Sequence, residues 1–392
     1  MIPFDAAMAL IAKHVLPLPA ETVPLCEASG RWLAEDVAAR IASPRFTVSA
    51  MDGYAVAERA VSPGEPMRVV GEARPGNPFV GTLPDDAALR IFTGAALPEG
   101  ADCVIMQEYA TREGDTVRFA EGYGPARHVR REGSDFAIGD VVLGQGTRLD
   151  PPMLVAAAAA DVAQLSVHAR PTVALLATGD ELAEPGEAVR QAHAIPDSIS
   201  FALAALVERA GGRVVGRHRA GDDLPSLERQ AGELLQSADL VIVTGGASVG
   251  DRDFAKPMFF PHGLELLFEK VAIKPGKPVW LGRAGQTLVL GLPGNPTSAM
   301  VTTRLFLAPI LAAMLGGKTG HRWRRLPLAA ALRATGDREC FVRASWEDDG
   351  LLPLGNQDSG VQGALARVDW LIRCPPGQSE LPCGSLVPAL AF

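Results

Sequence analysis

Five carboxylates and two lysines are the side chains best placed to do chemistry. Asp180, Glu181, Asp222, Asp251 and Asp253 all stand in glycine-containing stretches just past short apolar runs. Carboxylate oxygens suit magnesium, which needs one or two of them when a ligand supplies further oxygens. Singly, each reads more readily as a helix cap or a solvated loop residue. As a set at strand ends they read as a site for a hard cation. Lys274 and Lys277 flank Pro275-Gly276, a stiff turn that fixes two ammonium groups toward one anion. Gly245–Gly250 forms a glycine-rich loop after Val241–Val243. No Gly-Lys-Ser/Thr follows it and it is not GxGxxG, so neither nucleotide fingerprint applies, and alone it reads equally as a tight turn. After Leu288–Leu290, Asn295 reads as an N-cap with Pro296 at the first helical position. A strand, glycine loop and helix start offer amides and a positive dipole end to an anion. The combination points to a phosphorylated ligand handled with a divalent metal. The seven histidines show no metal-ligand spacing, and there is no GxSxG or spaced Cys/His pair. The chemistry expected is therefore electrostatic positioning with metal assistance.

These residues need a scaffold that brings them together. From Pro171 the periodicity alternates strand and helix: Val173–Ala177 (strand), Ile199–Arg209 (helix, capped by Asp197 or Ser198 and ended by Gly211-Gly212), Arg213–Arg217 (strand), Leu224–Ser237 (helix) and the strand at Val241. Apolar strands separated by helices predict right-handed crossovers and a parallel sheet. Ligands lie beyond the carboxyl ends of such strands. Thr178–Glu181, Thr244–Asp253 and Gly291–Asn295 all fall at such ends, so the motifs should converge.

The remaining sequence supplies the surroundings. Residues 3–16 and Glu27–Val37 are expected as helices. Residues 57–147 are rich in Gly and Pro with short apolar runs (Met67–Val70, Leu89–Phe92, Cys103–Met106, a last one near Gly139–Gly144) and read as an inserted, mostly β domain. Asp150-Pro151-Pro152 opens an alanine-rich helix to about Leu165, expected to pack on the first two. Beyond His321 the runs Leu326–Leu332, Cys340–Trp346, Leu351–Leu354, Trp370–Arg373 and Leu386–Leu390 predict a small all-β domain. With 392 residues, 47% hydrophobic and 21% charged, the chain is a globular protein of several domains. A net charge of −8 argues against nucleic-acid binding. The five scattered cysteines include no CxxC, which fits a reduced cytoplasmic setting. No signal peptide is evident. Met153–Leu165 and Ala299–Leu315 read as core helices rather than membrane spans.

Six stretches carry a resemblance. Ser49–Val56 (SAMDGYAV), Arg90–Glu108, Ala177–Leu182 (ATGDEL), Thr244–Phe254 (TGGASVGDRDF), Ala272–Pro278 (AIKPGKP) and Gly291–Ser298 (GLPGNPTS) closely resemble molybdopterin molybdenumtransferase, the MoeA family that includes the gephyrin E domain. The resemblance implies a multidomain α/β fold: a helical linker domain (1–40 and 135–169), an inserted β-rich domain (41–134), a central parallel-sheet molybdopterin-binding α/β domain (170–320) and a C-terminal β-barrel-like domain (321–392). It implies molybdenum insertion into adenylylated molybdopterin, with molybdate as co-substrate, Mg2+ as cofactor and AMP released. It assigns Asp52, Thr93, Glu181, Asp222 and Asp253 to the catalytic set, with Glu181, Asp222 and Asp253 as metal ligands. Substrate binding falls to Thr178, Gly179, Gly245, Gly246, Ser248, Lys274, Lys277, Pro293, Gly294, Asn295 and Pro296. It further implies a cytoplasmic homodimer with composite sites, making transient contact with molybdopterin adenylyltransferase or apo-molybdoenzymes, and no nucleic-acid or membrane partner. Two positions depart from the pattern: Val48 and Ile199 stand where the family-like stretches carry Asn. Three alternatives stay open: a tungsten-preferring paralogue, molybdopterin adenylyltransferase, which resembles the α/β domain alone, and a gephyrin-like scaffold.

Overall fold

The structure is a computed structural model that describes residues 1–245 and 254–392. The chain forms two compact units. One comprises Met1–Glu21, Gly30–Ala34 and Ser166–Phe392; the other comprises Thr22–Ser29 and Glu35–Leu165.

Helix α1 (Phe4–His14) appears where expected and buries Phe4, Ala7 and Ile11. The second expected helix, Glu27–Val37, does not form. Leu25–Glu27 is a single 3-10 turn, and Gly30 adopts φ +73°, a left-handed conformation that ends any helical path. Leu33 instead bridges Val167 in extended form. The apolar spacing of Ala28, Leu33, Ala34 and Val37 was misread because irregular extended chain also buries residues at such intervals.

The Glu35–Leu165 unit is built on a six-stranded sheet. Its order is Cys103–Met106, Gly53–Val56, Ala87–Ile91, Pro66–Ala73, Thr116–Phe119, Ala110–Glu113. Alternate residues enter two cores. Tyr54, Val56, Cys103, Ile105 and Val117 pack on one face, and Ala55, Val104, Ala87, Leu89 and Ile91 on the other. That is the period of two a pleated strand imposes. Helix α2 (Pro151–Ala159) stops short of Leu165, and Val155 is 69% exposed, so it is not the core helix anticipated. It packs on the strand Val141–Leu143, which itself pairs with Val37–Ala38.

In the larger unit the central sheet runs Arg213–Ala220, Thr172–Thr178, Leu240–Thr244, Thr287–Leu292, Trp280–Ala284, Leu264–Phe268. The first four strands are parallel. Trp280–Ala284 then pairs antiparallel with Thr287–Leu292, and Leu264–Phe268 antiparallel with Trp280–Ala284, an extension the alternating pattern does not disclose. Helix α3 (Ile199–Ala210) contributes Leu203 and Val207 to the core on one face. Helix α4 (Leu224–Ser237) contributes Leu227, Ala231 and Leu234 to the other. Pro296–Met314 is a continuous helical run, α5 (Pro296–Thr302) and α6 (Ala308–Met314) joined through a π-helical segment. By length and composition this run is apolar enough to cross a membrane, but 78% of its most apolar stretch is buried inside the fold.

The C-terminal strands form a second six-stranded sheet around Glu339–Glu347, Trp370–Cys374 and Leu386–Ala391. The two-residue strand Ile273–Lys274 pairs in parallel with Glu339–Cys340. Phe4 packs edge-on against Phe306 and Phe341 within one core.

Candidate functional site

Strand register decides where the loops meet. Ala177 pairs with Thr244, and Thr244 pairs with Leu292. The three strands therefore end level, and Thr178-Gly179, Gly245 and Pro293-Gly294 emerge side by side. They open onto a cleft of about 560 Å³, which is also lined by Glu181, Asp222, Asn295, Pro296 and Ser198. Gly245 has φ +96°, and a Cβ there would lie 2.3 Å from the Thr178 carbonyl oxygen. Only glycine allows the two strand ends to approach that closely.

The acidic residues divide by role. Asp180 Oδ1 accepts from the Asp222 amide at 3.0 Å, so Asp180 shapes the turn that presents Asp222. Asp223 caps α4, accepting from the Ser226 amide at 3.1 Å. Asp197, 7% exposed, accepts from the amides of Ile199 and Ser200 and caps α3. Glu181 and Asp222 remain on the cleft wall. Asn295 occupies the N-cap position of α5, but its side chain makes no cap bond and donates instead to Ser359 Oγ at 3.1 Å. Ile199 lines this cleft and packs into the core beneath it, 8% exposed.

Lys274 and Lys277 do not join this cleft. They line an adjoining one of about 810 Å³, together with Ser298, Arg333, Arg338 and Ser359. Pro278 borders both. A Cβ on Gly276 would meet Thr302 Cγ2 at 2.2 Å, so the lysine turn is pressed against α5. Among the described residues, four cations (Lys274, Lys277, Arg333 and Arg338) line this cleft against one carboxylate, Asp358. Among the described residues no carboxylate lies within 4.0 Å of the Lys274, Lys277 or Arg333 charge.

Asp52 and Thr93 belong to the smaller unit. Asp52 Oδ1 accepts from both the amide and the hydroxyl of Thr93, each at 2.8 Å. The Thr93 amide, then its hydroxyl, then the Arg90 charge hold the Asp52 carboxyl below its usual range. Gly246, Ser248, Asp251 and Asp253 lie outside the described residues.

Residues 2–160 match the family described as MoeA N-terminal region (domain I and II), residues 174–313 that described as probable molybdopterin binding domain, and residues 325–392 that described as MoeA C-terminal region (domain IV). A relative in Haemophilus influenzae named molybdopterin molybdenumtransferase is 38% identical over 350 residues, covering 88% of this chain and 85% of its own. The chain belongs to the MoeA family. Molybdopterin molybdenumtransferase 2 of Mycobacterium tuberculosis is likewise 38% identical, over 93% of both chains. The crystal structure of the molybdopterin biosynthesis MoeA protein from Pyrococcus horikoshii OT3 superposes with a TM-score of 0.87 at 26% identity, over the whole of both chains. Every described loop at the strand ends falls within the stretch matched to the molybdopterin-binding family, and the lysine cleft adds residues from the stretch matched to the MoeA C-terminal region.

Sequence reasoning missed part of both clefts. Gly360 and Gln362 line the first, and residues 353–359 line the second with Arg333 and Arg338. The signal was the run Gly355-Asn356-Gln357-Asp358-Ser359-Gly360, a polar turn cluster between two apolar strands.

Proposed function

We propose that the protein is a molybdopterin molybdenumtransferase, inserting molybdenum into adenylylated molybdopterin with magnesium-dependent release of AMP. The observation that carries this reading is the pair of clefts of opposite character that adjoin at Pro278. The strand-end cleft offers glycine loops, the carboxylates of Glu181 and Asp222 beside the helix-capping Asp197, and the start of α5, which no Asn295 side-chain cap closes. Such a helix start suits the phosphate groups of a pterin diphosphate. The lysine cleft suits a compact dianion such as molybdate. Among the described residues no three His, Cys, Asp or Glu converge. Glu181 and Asp222 therefore fit a magnesium ion completed by ligand phosphate oxygens rather than one caged by protein. Bound there, magnesium would neutralise charge on the diphosphate as AMP departs.

In this reading Thr178, Gly179, Gly245 and Gly294 cradle the substrate, and Glu181 and Asp222 face its diphosphate. Lys274 and Lys277 hold molybdate oxygens until the enedithiol exchanges one oxo ligand for two sulfurs, the oxo and two thiol protons leaving as water. A second water cleaves the diphosphate into AMP and the pterin phosphate. The reading extends to a homodimer in which Asp52 and Thr93 complete a composite site, and to four domains with the boundaries given above. Asp253 is assigned beside Glu181 and Asp222 on the motif alone.

The test supplies purified protein with adenylylated molybdopterin, molybdate and magnesium. AMP and molybdenum cofactor should appear in equal amounts. Adenylylation of molybdopterin from ATP would instead identify an adenylyltransferase, and preference for tungstate a specialised paralogue. Neither activity would leave the scaffold reading.

A further inference from the structure

A guanidinium without any exposure stands behind the lysine cleft. Arg343 lies in the strand Glu339–Glu347 and is 0% exposed. Burying a charge is costly unless hydrogen bonds satisfy it. Its three side-chain bonds all converge on one short segment, and among the described residues Nη1 has no partner. Nη2 donates to the carbonyl oxygens of Asp358, at 3.1 Å, and Asn356, at 3.5 Å, while Nε donates to Gln357 Oε1 at 3.3 Å. Gln357 answers in kind. Its Oε1 accepts from the Arg343 amide at 3.1 Å, and its Nε2 donates to the carbonyls of Arg343 and Leu354 at 2.9 and 2.8 Å. Residues 354–358 belong to neither helix nor strand; beyond the Leu354 amide, which donates to the Arg343 carbonyl at 2.9 Å, these side-chain bonds hold the chain.

The held segment bounds both clefts. Residues 355–359 line the lysine cleft, and Gly360 and Gln362 line the strand-end cleft. Three further bonds tie its second half down: Asn295 Nδ2 to Ser359 Oγ at 3.1 Å, Thr297 Oγ1 to the Val361 carbonyl at 3.0 Å, and Ser198 Oγ to Gln362 Oε1 at 3.0 Å. Arg343 itself lines neither cleft.

We propose that Arg343 is a positioning residue for both clefts, fixing the segment 354–362 as their common wall. A planar fork can hold two carbonyls and an amide at once, whereas an ammonium on a flexible stem cannot. Loss of the fork therefore loosens binding on both sides of the wall, although nothing that touches a ligand has changed. This inference rests on the proposed function only for the identity of the two ligands.

The test compares wild type with Arg343→Met, Arg343→Lys and Gln357→Leu in the full chain, well below each variant's melting temperature. Three quantities are read: calorimetric Kd for sodium molybdate, KM for adenylylated molybdopterin, and hydrogen exchange at residues 355–362 without ligand. Both Arg343 variants should raise Kd and KM at least tenfold. Exchange at 355–362 should quicken while the strand Leu240–Thr244 stays protected. Rescue by Arg343→Lys would show that charge alone matters and would overturn the proposal. So would a folded Arg343→Met with wild-type Kd and KM. If the Arg343 variants do not fold, Gln357→Leu decides, because Gln357 lines only the lysine cleft. A raised KM at the other cleft supports a shared wall, and an unchanged KM refutes it. Wild type that neither binds molybdate nor turns over would overturn the functional reading instead, and the exchange measurement would still judge Arg343.

Discussion

Replacing Gly245 with alanine tests whether the close approach of two strand ends builds the cleft. Gly245 has φ +96°, and a Cβ there would sit 2.3 Å from the Thr178 carbonyl oxygen and 2.8 Å from Thr178 Oγ1. Two costs follow. A left-handed backbone costs an L-residue about 1–2 kcal/mol. Overpacking a tight site costs about 1–3 kcal/mol more. Their sum, about 2–5 kcal/mol, is a large part of the roughly 5–15 kcal/mol that holds a typical domain folded. Gly285 separates the two costs. It turns the hairpin between Trp280–Ala284 and Thr287–Leu292 at φ +61°, with nothing within 4 Å of an added Cβ. In urea denaturation Gly285→Ala should lose only the conformational part, about 1–2 kcal/mol. Gly245→Ala should lose about 1–3 kcal/mol beyond that, at unchanged m. Ordinary contact begins near 3.4 Å, so relief must move Thr178 or the Gly245 loop by about 1 Å, a misplacement able to cost roughly 100-fold in turnover. Equal stability losses for the two variants, or a Gly245→Ala enzyme of wild-type activity, would refute the reasoning.

Three further outcomes are expected. Lys274→Ala or Lys277→Ala should weaken molybdate binding by about 1.5–3 kcal/mol, roughly 10- to 150-fold by calorimetry, and each variant should respond less than wild type to added salt. Asp52 should titrate below 3.8 by NMR, and Thr93→Val, which deletes the hydroxyl donor, should raise its pKa toward that value; being depressed in the fold, this group favours folding above 3.8 and loses that contribution as pH falls through its folded pKa. His321 is half-buried, and that burial, then the Arg304 charge, lowers its imidazole to about 4. The unfolded chain takes up the proton first, so stability should fall as pH drops from about 6.5 to about 4, by on the order of 2–3 kcal/mol at most, and His321→Asn should remove that slope from a series of melting temperatures against pH.

The fold was legible where burial imposes a clean period. Val173, Leu175, Leu240, Ile242, Leu288 and Leu290 all enter one core, and their apolar runs marked the strands whose ends carry the cleft. Leu224–Ser237 was readable to the residue, because Pro225 and Asp223 signal its start. Glu27–Val37 was not, since a left-handed Gly30 outweighs apolar spacing. The antiparallel strands Leu264–Phe268 and Trp280–Ala284 escaped for lack of the intervening helices that announce a parallel crossover. That Gly179, Glu181, Gly245 and Gly294 share one cleft was legible from their positions after strands. The separation of Lys274 and Lys277 into their own cleft was not, because it depends on the pairing of Lys274 with Cys340, across more than sixty residues. Asn295 looked like a cap, and only the fold reveals that its amide turns to Ser359.

In the proposed function an oxyanion lies between Lys274 and Lys277 and a pterin diphosphate at the neighbouring strand ends. A crystal grown with sodium molybdate and adenylylated molybdopterin, measured on both sides of the molybdenum absorption edge, tests this most directly. An anomalous peak is expected within hydrogen-bond reach of Lys274 or Lys277, with the diphosphate beside Glu181 and Asp222. Molybdenum found elsewhere, with the lysine cleft empty at saturating molybdate, would contradict it.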